Sequence, residues 1–425
     1  MSAQAASPGK EGLGMGRFAM ETSQEIFGAI FAYYAGLKKA KEEGRPVIWT
    51  TGLLPREIFH AVDATVVYLE HLPFIMGFQA LGSHYTQIAE EHGFSKDVCA
   101  FHRVFVGCGV AKENEREPVW DQFYVAPDLI IGGNYPCMSQ TKSFMYLVDH
   151  FKVPYHYFDT PINTWGTDPP DYAIEYTAGE LKGVIDFLGK QGFKLDWEKL
   201  KENVRLSKKT LLLWNEINDQ RKIPPTVMTA MDGLVTALIL TQVLPPAPLN
   251  TLFEKFLKEL KEKREKKLAL IGDEKARLMF AGVPPLFNMQ LFDSLERHGA
   301  VVVTEMLECA TGGAYDPSYI DPEKPLESLA HKLLIDVVNP ITTNMIEHIV
   351  QDVKDFKIDG VVAVVKRSCG LLPGFWRQTK DAVYKETGVP TTIFDLDALD
   401  SREYDDVAIN TKFDSFIETV IANKS

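Results

Sequence analysis

Two kinds of hydrophobic run alternate along this chain. Short aliphatic or β-branched stretches end in Gly or Pro, and longer stretches follow in which apolar residues return every three or four positions. RPVIWTTGLLPREIFHAVD, from Arg45 to Asp63, runs from a strand through a Gly/Pro turn into an amphipathic helix, the opening of a βα unit. PDLIIGGNYPCMSQTKSFMYLVDHF repeats it, with a strand at Leu129–Ile131, a Gly-rich turn and a helix starting near Ser139 or Gln140. VPYHYFDTP supplies the next strand.

From about Asp171 to Lys267 the period is helical throughout, in EYTAGELKGVIDFLGKQG, DWEKLKENVRLSKKTLLLWNEINDQ and FEKFLKELKEKREKK. The Glu/Lys run in the last of these reads as a solvated helix face, since opposite charges three or four residues apart stabilise one another. KARLMFAGVPPLFNMQLFDSLERHGAVVVTEM then returns to strand, loop, helix, strand, and DGVVAVVKRSCGLLPGFWRQTKDAVYKETGVPTTIFDLD adds another such pair. The expected fold is α/β: two Rossmann-like parallel-sheet domains, at 41–165 and 268–425, with a helical insert at 166–267 between them. Neither half carries GxxxxGK[ST] or a convincing GxGxxG after a strand, so neither ATP nor NAD is expected to bind through those devices.

At 425 residues, 45% hydrophobic and 24% charged, the chain can bury a substantial core. Its net charge of −13 argues against nucleic acid as a partner. The first 20 residues lack an apolar export core. The longest apolar run, Gly233 to Leu244, is well short of the roughly 20 residues that span a bilayer. The expected location is the cytoplasm, with no membrane partner.

Five cysteines, at 99, 108, 137, 309 and 369, are an odd number in such a chain and suit reduced thiols or metal ligands better than disulfides. Cys137 follows the strand LIIGG and Cys369 follows VVAVV, so both thiols belong at carboxyl ends of parallel strands, where open α/β sheets bind ligands. Nearby helix amino termini, with Lys366 and Arg367, favour the thiolate. Cys99 lies in SKDVCAFHR, at a turn into a helix that carries His102 and Arg103. Three thiolates can hold a [4Fe–4S] cube and leave one iron open. Buried structural cysteine and a zinc site including His102 are the alternatives, and separations of 38 and 232 residues do not choose among them. Cys108 and Cys309 read as structural thiols.

The segments LLPREIFHAVD, KDVCAFHR, APDLIIGGNYPC, HGAVVVTEMLECATGGAYDP, DGVVAVVKRSC and TGVPTTIFDLDALDSREY resemble, in that order, the paired subunits of benzoyl-CoA reductase and the 2-hydroxyacyl-CoA dehydratases. The resemblance spans roughly Pro46 to Val420. It implies that Cys99, Cys137 and Cys369 hold the cluster. It also implies a second homologous subunit, an ATP-hydrolysing activator as electron donor, and an acyl-CoA substrate. The GGAYD segment and the length look most like the larger reductase-type subunit, which implies an ATP-dependent, low-potential acyl-CoA reductase. NTKFDSFIE departs from the family pattern by placing Lys412 where many relatives have arginine. Alternatives within the family are a dehydratase subunit and a homodimeric protein with a sulfide-bridged [8Fe–9S] double cubane, for which two chains would each offer three thiolates.

Acid–base candidates close in sequence to these loops are His102, His60 and Glu57, with His84 a further possibility, against the common case of a structural histidine. Thr50, Thr51 and Gly52 end the first strand and could approach a substrate. Phe74, Phe78, Tyr85, Tyr135, Phe375 and Trp376 could wall an acyl pocket or simply pack the core.

Overall fold

Among the described residues, eight short strands make two four-stranded sheets in which every pairing is parallel. The computed structural model describes residues 16–51, 54–135, 137–241, 244–305, 316–336, 339, 342–366, 368–370 and 373–424. In chain order its first half runs α1 (Glu21–Glu42), β1 (Val47–Thr50), α2 (Arg56–Ala61), β2 (Thr65–Tyr68), α3 (His71–Phe78), α4 (Gly82–Glu91), α5 (Ala100–Val110), α6 (Pro118–Asp121), β3 (Leu129–Gly133), α7 (Met138–Phe151) and β4 (Tyr155–Phe158). Four helices follow: α8 (Asp171–Lys190), α9 (Trp197–Arg221), α10 (Ala230–Thr241) and α11 (Pro246–Glu265). The second half has β5 (Ala276–Ala281), α12 (Gln290–Arg297), β6 (Ala300–Glu305), α13 (Pro325–Ile335), α14 (Thr342–Asp355), β7 (Gly360–Lys366), α15 (Trp376–Thr387), β8 (Thr391–Leu396) and α16 (Asp406–Lys424).

The strand orders are the same in both halves: β2-β1-β3-β4 and β6-β5-β7-β8. In each, the chain leaves the first strand toward one edge and then returns to its other side. That reversal opens a crevice at the carboxyl ends of β1 and β3, and again of β5 and β7. Parallel strands covered on both faces read as unbroken apolar runs, and β1, β2, β3, β5 and β6 are buried along their whole length. Glycine lets the backbones approach closely at β3, where a Cβ on Gly133 would lie 1.8 Å from the Phe158 carbonyl oxygen.

A continuous core joins Trp49, Phe105 and Phe144 of the first half to Phe280, Val364 and Phe394 of the second. Helix α9 presents Leu200, Val204, Leu211, Trp214 and Ile217 on one buried face and packs along α11 and α2. Asp196 caps it, accepting from the Lys199 amide at 3.0 Å. Helix α1 lies against α10 and α11, and its amino end is pinned where the Ala19 and Met20 amides donate to Asp232. No described helix is long and apolar enough to cross a membrane.

Candidate functional site

Cys99 is the residue that caps α5, and Cys137 the one that caps α7; neither side chain accepts a capping hydrogen bond. Both cysteines therefore sit at the positive end of a helix. Cys137 follows β3 and Cys369 follows β7, so the two occupy matching crevices of matching sheets. Two contacts draw the three segments together. His102, one turn along α5 from Cys99, places Nε2 3.3 Å from the Cys137 Sγ. The Ala100 amide, next to Cys99, donates to Ser368 Oγ, next to Cys369, at 3.1 Å.

Cys99 is 6% exposed, and the His102 beside it is buried, with its ring edge-on to Phe105. Cys99, Cys108, Cys137 and Cys369 are not in disulfides. Among the described residues no three His, Cys, Asp or Glu side chains stand close enough to hold one metal ion. A polynuclear iron–sulfur cluster would take one of the Cys99, Cys137 and Cys369 thiolates on each of three irons. Cys108 differs: it is wholly buried on α5, its carbonyl accepts from Trp120 Nε1 at 2.8 Å, and burial pushes its thiol well above the ordinary value. Cys309 and residues 312–315 of the GGAYD segment lie outside the described residues, as do Gly52 and Arg367.

The other sequence candidates face elsewhere. Glu57 is buried and turned toward α9, where Ser207 Oγ donates to it at 2.6 Å, and Lys332 stands 3.8 Å away. Burial alone would raise its carboxyl, but Lys332, Arg56 and the Ser207 hydroxyl together hold it below its ordinary value. His60 is pushed down to about 4 by burial and by Arg56. These contacts form a buried charge cluster among α2, α9 and α13. His84 Nε2 contacts the Glu115 carbonyl at 2.8 Å. Phe74, Phe78 and Tyr85 belong to the main core and Phe375 and Trp376 to the second-half core, while Tyr135 packs beneath α8 and α9, so packing accounts for these aromatics.

Glu70 was not among the sequence candidates. It follows β2 and meets two groups from neighbouring strand ends: Thr51 Oγ1 donates at 2.6 Å, and the wholly buried Gln140, in the first turn of α7, donates through Nε2. A carboxylate is thus fixed at the β1/β3 crevice, bonded to Gln140, which lies one helical turn from Cys137. The available signal was a lone acid directly after the apolar run TVVYL. A cavity of about 300 Å³ is lined by Arg103, Ser368, Asp397, Asp400, Arg402 and Tyr404 among others.

The family model for the 2-hydroxyglutaryl-CoA dehydratase D-component matches residues 52–420. The chain belongs to that family. Members similar to it include the (R)-phenyllactyl-CoA dehydratase alpha subunit of Clostridium sporogenes, 25% identical over 91% of this chain and 92% of that one. The lactoyl-CoA dehydratase alpha subunit of Anaerotignum propionicum is 24% identical over 93% and 96%. One benzoyl-CoA reductase subunit, from Thauera aromatica, is 22% identical over 79% and 80%. These D-component relatives are subunits of enzymes, and an enzyme subunit is what this chain is.

Proposed function

We propose that this chain is the iron–sulfur subunit of a complex that transfers single electrons to an acyl-CoA, in the manner of benzoyl-CoA reductase, with a separate ATP-hydrolysing activator as donor and a homologous second subunit. The two contacts that tie the Cys99, Cys137 and Cys369 segments together, His102–Cys137 and Ala100–Ser368, support this reading. A [4Fe–4S] cluster held by those thiolates would supply an electron at low potential and one iron open to an oxygen ligand. The protein's own part is to desolvate and to manage protons. Burial of Cys99 and His102 keeps water away, and Glu70, oriented by Thr51 and Gln140, gives or takes a proton at the substrate oxygen.

A 2-hydroxyacyl-CoA dehydratase is the second reading, favoured by the higher identity and coverage of the dehydratase alpha subunits relative to the reductase subunit. A third, a double cubane shared by two copies, would use three thiolates from each chain. The experiment is anaerobic coexpression with an activator and a partner subunit, then iron and sulfide assay and product analysis on benzoyl-CoA and a 2-hydroxyacyl-CoA. Ring reduction supports the first reading and an enoyl product the second. Turnover of neither, or a protein without iron, overturns both.

A further inference from the structure

We propose that Ser368 and Asp397 act as a positioning pair that caps the Cys99 helix from the other half of the molecule and keeps its first amide away from the cluster sulfurs. This rests on the iron–sulfur reading for its redox consequence, though not for its geometry.

The opening amides of a helix need acceptors, and Ser, Thr, Asp or Asn at the cap normally supply one. The α5 cap is Cys99, whose side chain takes no such bond. Ser368, 268 residues further on, accepts from the Ala100 amide instead. A serine hydroxyl has one proton, and an ionised carboxylate can only accept. Ser368 Oγ lies 3.1 Å from Asp397 Oδ2, so the proton points there and a lone pair is left aimed at Ala100. Asp397 is itself fixed, since its Oδ1 accepts from the Leu399 amide at 2.9 Å and the Asp400 amide at 3.0 Å. The carboxylate thus orients the hydroxyl, and the hydroxyl occupies the amide.

Two effects follow. The residue after Cys99 is tied to the residue before Cys369, which sets the separation of the two thiols. The Ala100 N–H is also unable to donate to either sulfur; hydrogen bonds to sulfur and contact with solvent are among the levers that set a cluster's potential, and such bonds favour the more negative, reduced form. Ser368 and Asp397 line the 300 Å³ cavity, so the same hydroxyl stands between that space and the cysteine segments.

The test uses the full chain with Ser368→Ala, Asp397→Asn, Ser368→Thr and Ser83→Ala. Ser83 is the comparison because it also joins the two halves, meeting Ser401 Oγ at 3.0 Å and accepting from the Ser401 amide at 2.9 Å, and its hydroxyl bonds to none of Ala100, Ser368 and Asp397. In iron-free protein, alkylation of Cys99 by iodoacetamide is followed by mass spectrometry, with Cys108 as buried reference. In iron-loaded protein the midpoint potential is measured by EPR-monitored titration. Ser368→Ala and Asp397→Asn should speed Cys99 alkylation by about five-fold, the equivalent of one lost hydrogen bond, and move the potential upward. Ser368→Thr should restore both, and Ser83→Ala should change neither. Unchanged Cys99 reactivity and potential in Ser368→Ala, or the same changes in Ser83→Ala, overturn the pair. Wild type that takes up no iron overturns the iron–sulfur reading, and the alkylation rates still decide the pair.

Discussion

Cys99 and Cys108 lie on the same helix and meet opposite environments, one at the electropositive cap and the other in the core. Cys99→Ser, Cys137→Ser and Cys369→Ser should each lose iron and brown absorbance, because an alkoxide or hydroxyl is a poor substitute for thiolate on iron. Cys108→Ser should keep its iron and lose only stability, and iron loss there with retention in the other three would discard this ligand set. Glu70→Gln preserves the shape and removes the proton acceptor, so turnover should fall by roughly 10²–10⁴-fold at unchanged iron content. Equal turnover in wild type and variant would remove Glu70 from the chemistry. His60 makes a different prediction. Its folded value is about 4, against an ordinary value of 6.5. The unfolded chain therefore takes up a proton below about 6.5 that the folded one refuses, and stability falls as pH drops from there toward 4, by about 3 kcal/mol at most. His60→Phe should flatten that part of a stability curve measured by denaturant titration, and an unaltered slope would show that His60 is not the group responsible.

At the scale of elements, the crevices were legible because LIIGG and VVAVV are unbroken apolar runs closed by a turn, the mark of parallel strands buried on both faces. That pattern alone places Cys137 and Cys369 at strand ends. Strand β2 was hidden, since TVVYLEHLPFIMGF runs on without a break into α3 and offers neither alternation nor a turn. With it went Glu70, whose role depends on Thr51 and Gln140 from two other strand ends. Helix α1 escaped notice although Ile26, Ile30, Tyr34 and Leu37 are spaced for one face. Ser368 was unreadable because its partner Ala100 is 268 residues away. Close approach within an element pair leaves a subtler trace. A Cβ on Gly107 would fall 2.0 Å from the Tyr85 carbonyl oxygen, so glycine lets α5 press against α4. Gly107→Ala should destabilise the fold by about 1–3 kcal/mol through overpacking, read as a lower midpoint in urea; a wild-type midpoint would mean that α4 can move aside freely.

Across the whole molecule, four charges bind the halves beside the cysteine segments. Arg103 of α5, 2% exposed, reaches Glu90 of α4 at 2.5 Å and Asp400 beyond β8 at 3.3 Å, and Arg402 pairs with the same two acids. Burial would raise the Asp400 carboxyl, but Arg402 and Arg103 hold it below its ordinary value. Arg103→Met leaves Arg402 alone to hold both acids and removes the bond to the Val98 carbonyl, so it should cost about 1–3 kcal/mol and separate the unfolding of the two halves, as followed by Trp49 and Trp376 fluorescence in single-tryptophan backgrounds. Coincident transitions at wild-type stability would show that the halves are coupled by the apolar core alone. The position of Cys369 has a further consequence during synthesis. The 232 residues separating it from Cys137 take roughly 10–50 s to translate at 5–20 residues per second. For that interval Cys99 and Cys137 leave the ribosome without Ser368 and without the third cysteine of the proposed ligand set. Under the proposed ligand set, iron delivered to the nascent chain would find only two of its three donors, and loading would follow release of the completed polypeptide.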